Sequence, residues 1–173
     1  MSEKKKQILT IAEKLFYENG FHHVGLKRIV SDSGVALMTL YNHFSSKEEL
    51  IQEVLSIREE RYLSLLSNCG QGSTHQKAKS IAKIHAEWLS SQRNGCMLLR
   101  AKEEYANVNQ AIVDQVVEHK KNLIELFITL GFNQRQSNQL TLVLEGSTSL
   151  AEVLDPKDVT SELTHLIDQV IVK

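Results

Sequence analysis

One proline, two cysteines and an aromatic content of only 6% in 173 residues set the outer limits of this chain. Pro156 stands alone, and no stretch alternates β-branched with polar residues, so the pattern excludes a strand-rich fold and predicts an all-α one. Cys69 and Cys96 form no Cys-x-x-Cys pair and are too few for a disulfide framework; free thiols are the expectation. No apolar run approaches the roughly 18 residues of a membrane span. Met1–Lys6 is polar and offers no hydrophobic signal region, so the reading is a cytoplasmic protein with no membrane partner. Charge of one sign is missing too. A formal net charge of -1 excludes a polyanion binder that works by bulk positive charge.

Catalytic patterns are equally scarce. The chain has no HExxH, P-loop, GxGxxG or nucleophile elbow. His85-Ala86-Glu87 matches half of a zinc deaminase signature, but the Pro-Cys-x-x-Cys half is absent. Glu162 and His165 make a single Glu-x-x-His, whereas a di-iron bundle needs two such pairs and two further carboxylates. The sequence therefore predicts no catalytic residue, no metal and no cofactor, and not an enzyme.

What the chain does have is helical periodicity. Ile8, Ile11, Ala12, Leu15 and Phe16 share one face of a first helix that Asn19-Gly20 closes. A short helix over about Leu26–Ser33 follows, then a turn at Gly34, a plug at Val35, and a second short helix over about Leu37–Phe44. Two short helices joined by a glycine-containing turn form a helix-turn-helix. Ser46 and Glu49 have capping-box spacing and open a long helix to about Ser67, with Tyr62 and Leu65 in its apolar stripe. Further helices are expected over Lys77–Ser91, Cys96–Ala106, Ala111–Leu130, Gln134–Val153 and Val159–Val172. Asp155-Pro156 would cap the last one.

Several residues in the first third resemble the TetR family of one-component transcriptional repressors. They are Ile8-Leu9, Ala12, Leu15-Phe16, Gly20-Phe21, Ile29, Ser33-Gly34-Val35, Thr39-Leu40-Tyr41, His43-Phe44 and Ser46-Lys47-Glu48-Glu49-Leu50. The resemblance covers Ile8 to Leu55. It implies a three-helix DNA-binding head over residues 1–44 and a larger helical ligand-binding and dimerisation domain over 45–173. It further implies a homodimer that places the Leu37–Phe44 helices in the major groove of a palindromic operator, released when a small-molecule effector reorients the heads. By position, Tyr41, His43 and Lys47 look like the family's phosphate contacts, while Leu37, Met38, Thr39 and Asn42 would lie nearest the bases. Gly25 and Lys27, at the start of the second helix, complete the candidate DNA-binding set.

Elementary chemistry supports these roles. Hydroxyl, amide and imidazole groups position phosphates or read base edges, and Lys47 would sit where the free N–H groups of a helix start favour an anion. The first fifty residues carry seven cations against six anions, a balance of +1, so recognition would depend on placed donors rather than a basic field. The Lys4-Lys5-Lys6 run is either a DNA-reaching arm or a solvated terminus. Two departures from the family pattern stand out. Ala36 and Met38 replace its usual capping hydroxyl and glycine, and Val24-Gly25 replaces its usual Thr or Ser pair. Leu37 and Met38 would either meet thymine methyl groups or pack against the first helix.

Tyr62, His85, Trp88, Met97, Tyr105, His119 and Phe127 are the candidate effector-binding residues, each with plain core packing as the alternative. Arg100, Glu103 and Glu104 would answer a charged effector or form a wet helix face. Cys96 is a candidate nucleophile. The last two helices carry apolar residues on more than one face and are the expected dimer interface, against a monomeric bundle. A helical interaction protein whose head no longer binds DNA is the rival function.

Overall fold

The computed structural model describes residues 1–171, which contain nine helices and no strand. In chain order these are α1 (Glu3–Asn19), α2 (Leu26–Ser33), α3 (Leu37–Tyr41), α4 (Lys47–Ser67), α5 (Thr74–Ser91), α6 (Met97–Tyr105), α7 (Gln110–Thr129), α8 (Gln134–Leu150) and α9 (Pro156–Val170). The all-α expectation holds. Among the described residues no helix is long and apolar enough to cross a membrane.

The helices sort into two compact units. The first comprises Met1–Glu59 with Met97–Val116; the second comprises Glu60–Cys96 with the residues from Val117 onward. In the first, α1, α2 and α3 pack on one another around Ile8, Phe16, Phe21, Ile29, Leu40 and Phe44, all essentially inaccessible. In the second, α9 packs on α5 and α8 over Leu66, Ile81, Leu123, Phe127, Leu140, Leu144, Leu163 and Ile167.

Capping explains where most elements begin. The Ser2 hydroxyl accepts from Lys5 N–H, so α1 starts at Glu3 and Lys4, Lys5 and Lys6 form its first turn, not an extended arm. Lys5 is bound to Glu53 at 2.7 Å. Helix α5 starts three residues earlier than expected, because Ser73 and Gln76 make a reciprocal capping box that periodicity alone overlooks. Asn133 and Gln136 make the box expected of them, and Asp155 caps α9 through Lys157 N–H at 2.9 Å. Helix α8 stops at Leu150, three residues short of its expected end. Val172, the expected end of α9, lies outside the described residues.

The Glu49 cap differs in detail. Glu49 N–H donates to Ser46 as expected, at 3.1 Å, but the Glu49 carboxylate reaches back one residue further and accepts from Ser45 N–H at 2.6 Å. A bond from the Ser45 hydroxyl, seconded by that from Ser45 N–H, holds the carboxyl below its usual range.

Candidate nucleic-acid interface

Helix α3 is shorter than its periodicity predicts. It ends at Tyr41 because the backbone tightens there: both His43 N–H and Phe44 N–H donate to Leu40 carbonyl, at 3.0 and 2.9 Å. Phe44 stays buried beneath this turn, as expected. With Leu40 and Phe44 pinned inward, the remaining side chains of α3 have only one direction available. Leu37, Met38, Tyr41 and Asn42 are exposed, and Thr39 is half-buried. Met38 is 71% exposed, so of its two readings the one that packs it against α1 does not hold. Ala36 takes the extended N-cap conformation but makes no side-chain cap bond.

The candidate phosphate contacts adjoin this helix in sequence. His43 is half-buried, and its Nε2 lies 3.4 Å from the Ser2 hydroxyl that caps α1. Lys47 opens α4 with its ammonium 6.0 Å from the Phe16 ring. Partial burial pulls its pKa down, and the Glu48 and Glu104 carboxylates act in the opposite direction. A partly desolvated cation at a helix start favours an anion that arrives to replace lost water. Gly25 is the N-cap of α2, with no side-chain cap bond and open space where a Cβ would stand; Lys27 is exposed. The arrangement offers a short helix edge of mixed apolar and hydrogen-bonding groups flanked by a cation. That is the chemistry of a major-groove reader.

Residues 8–54 match the model of the family described as bacterial regulatory proteins, tetR family. Over this segment, well under half of the chain, the protein is similar to the TetR family. Among curated relatives it is 42% identical, over 60 residues, to the HTH-type transcriptional regulator UidR of Escherichia coli K12. That match takes in 35% of this chain and 31% of UidR, so it covers about a third of the relative's length. Among solved structures, the TetR-family regulator SCO4454 of Streptomyces coelicolor superposes with a TM-score of 0.87 at 24% identity, over 99% of this chain and 95% of that one. FadR of Bacillus subtilis, solved with stearoyl-CoA, superposes with a TM-score of 0.73 at 16% identity, over 94% and 96%. These likenesses extend the TetR fold over the whole chain.

The seven candidate effector residues do not form one cluster within either compact unit. Tyr62, His85, Trp88, His119 and Phe127 belong to the second unit, Met97 and Tyr105 to the first. Tyr62 is the centre of one group: its hydroxyl lies 2.8 Å from His85 Nδ1 and its ring 5.2 Å from that of Trp88. His85 Nε2 lies 3.1 Å from the Ser147 hydroxyl and 3.3 Å from that of Thr148. Both hydroxyls donate to Leu144 carbonyl, so their oxygens accept from an Nε2–H, and Nδ1 accepts the Tyr62 proton. Burial lowers the His85 pKa to about 4 and raises that of Tyr62 well above its ordinary value, which keeps both neutral. Phe127 is core, packed with Phe132, and His119 is buried. Tyr105 instead faces the head: its ring stands 6.2 Å from Phe21 and 4.8 Å from His22, and burial pushes its hydroxyl up to about 12.

Two further features were not legible in the sequence. Half-buried Cys96 has its sulfur 3.7 Å from Lys120 Nζ, which is paired with Glu145 at 2.7 Å. Arg100 and Glu104, read as effector-facing or solvated, instead bind the backbone around the α1–α2 connection. Their i, i+4 spacing was visible, but nothing in the sequence marks Tyr17 or Phe21 as their partners.

Proposed function

We propose that this protein is a transcriptional repressor that binds an inverted-repeat operator as a homodimer, one α3 per half-site, and is released by a small-molecule effector. Residues 1–44 serve as the DNA-binding head and 45–173 as the effector-binding and dimerising part. The observation that carries the reading is the outer face of α3. Leu37, Met38, Thr39, Tyr41 and Asn42 project from a helix pinned by Leu40 and Phe44, inside the segment that matches the family. Tyr41, His43 and Lys47 engage phosphates; Leu37, Met38, Thr39 and Asn42 meet base edges, with thymine methyls suiting the two apolar residues. Gly25 lets the backbone at the start of α2 approach the duplex, and Lys27 adds a phosphate contact.

The dimer reading is supported by an apolar groove of about 400 Å³ along α8 and α9, lined by Leu142, Val143, Leu150, Leu154, Val159 and Leu166. Leu142 is 72% exposed in the single chain, an expensive arrangement unless a second copy covers it. A two-fold axis there suits a palindromic operator. For the effector, Tyr62, His85 and Trp88 offer an aromatic wall with a fixed polar edge; of the other candidates, His119 and Phe127 belong to the same unit, and Met97 and Tyr105 to the other. A protein of the same fold holds stearoyl-CoA, which supports a small-molecule effector.

Selection from a random duplex library at physiological salt tests the function. Enrichment of an inverted repeat is the expected result, its spacing giving the separation of the two reading helices. No enrichment from folded, dimeric protein would replace this reading with that of a helical interaction protein.

A further inference from the structure

Arg100 and Glu104 stand one turn apart on α6, and each meets backbone groups at or just after the end of α1 with the charge that those groups require. Arg100 Nη1 donates to Tyr17 carbonyl at 2.9 Å, in the last turn of α1, where carbonyls have lost their in-helix partners. The Glu104 carboxylate accepts from Phe21 N–H, at 3.1 and 3.0 Å to its two oxygens, and from His22 N–H at 2.8 Å. His22 answers in the other direction: its Nε2 donates to Glu104 carbonyl at 2.8 Å while its ring lies on Tyr105. The approach is close. Gly20 has φ 78°, and a Cβ there would come within 3.0 Å of a Glu104 carboxylate oxygen.

These bonds act where the chain leaves α1 for the reading helices. Gly20–Gly25 is the only covalent connection between α1 and the α2–α3 pair, and its first two amides after Gly20 are held by Glu104. We propose that Arg100 and Glu104 are positioning residues for operator recognition: together they clamp the α1–α2 connection and fix the direction in which α2 and α3 leave it. Neither side chain touches DNA in this role. The effect on DNA rests on the DNA-binding reading above; the clamp itself does not.

The sign of the effect makes the test sharp. Glu104 is a negative charge close enough to act on Lys47, so simple electrostatics predicts that Glu104→Gln tightens DNA binding. Loss of the clamp predicts the opposite. Operator affinity should fall about tenfold in Glu104→Gln, with the salt slope unchanged because no phosphate contact is lost. Glu104→Asp, which keeps the charge but shortens the reach, should fall in the same direction. A variant that is folded by far-UV circular dichroism and binds the operator as tightly as the parent, or tighter, overturns the proposal. So does a loss of affinity fully accounted for by a lower folded fraction. Amide hydrogen exchange without DNA gives the independent arm: Phe21 and His22 amides should exchange faster in Glu104→Gln, and the Ile29 and Leu40 amides should not. Should the parent fail to bind any duplex, that arm alone still decides the clamp, and unchanged Phe21 and His22 protection refutes it.

Discussion

The outer face of α3 and the groove along α8 and α9 both leave large apolar side chains in solvent, and they differ in their company. Leu37 and Met38 stand among Thr39, Tyr41, Asn42 and His43, so a partner there must offer hydrogen-bonding edges as well as methyl-sized apolar patches. Leu142, Leu150, Leu154 and Leu166 have only Ser147, Asp158 and Glu162 as polar company in the groove lining, so a partner there must be mostly apolar itself. Polar groups inside the second unit contrast with those of α3. Those of α3 point outward with unused capacity; Tyr62, His85, Ser147 and Thr148 point inward and satisfy one another. On the DNA-binding reading proposed above, outward polarity serves recognition, and inward polarity fixes one internal arrangement.

The comparison breaks most severely if charge is placed in the groove. Leu142→Glu should convert the dimer to a monomer in sedimentation and cost the operator complex about 3 kcal/mol or more, a hundredfold and beyond. A dimer of unchanged affinity would remove the groove from the interface. The inward network yields a pH effect of similar size. An unfolded chain protonates His85 below about 6.5, while the folded one resists until about 4. The stability conferred by the neutral imidazole is therefore complete above 6.5 and lost as pH falls toward 4, in total about 3 kcal/mol. Urea titrations between pH 7 and 4.5 should show this decline, and His85→Gln should flatten it; an equally steep decline in that variant would mean other groups carry the effect.

Effects at α3 are smaller and separable. Asn42→Ala should cost about 1–3 kcal/mol and relax preference at one operator position, whereas Lys47→Ala should weaken all sequences alike and lower the salt slope by about one. Competition against single-base operator variants at two salt concentrations tells them apart. The smallest expected effect is a gain. Ala36→Ser would supply the missing cap and raise stability by about 1 kcal/mol, read as a higher thermal midpoint. No change would mean that the extended Ala36 backbone already holds the first amides of α3 as well as a hydroxyl would.

Much of the head could be read from residue order because its signals are local. Gly34 between two short apolar periodicities marks the turn, and α2 runs over Leu26–Ser33 as expected. Leu40 and Phe44 are buried as their spacing requires. Cap chemistry placed the starts of α8 and α9 and could have placed that of α5, since Ser73-x-x-Gln76 was in view. Leu65 and Leu166 show the limit of periodicity: both continue apolar stripes, yet both are about 41% exposed. A stripe wider than one helix contact is apolar throughout but covered only in part. Contacts between distant segments left no local trace. Arg100 finds Tyr17 across 83 positions and His85 finds Ser147 across 62, distances over which residue order carries no periodic signal.

Helix α3 has only five residues, and its N-cap, Ala36, has no hydroxyl. Such a segment cannot nucleate itself; its order comes from the docking of Leu40 and Phe44 on α1 and α2. In folding it must therefore form after the pair it rests upon, and on warming it should be among the first parts to open. A head that has lost α3 keeps most of its core but has nothing left to insert into a groove. On the DNA-binding reading proposed above, recognition would then fade at temperatures where the rest of the chain is still folded, which sets an upper limit to the working range.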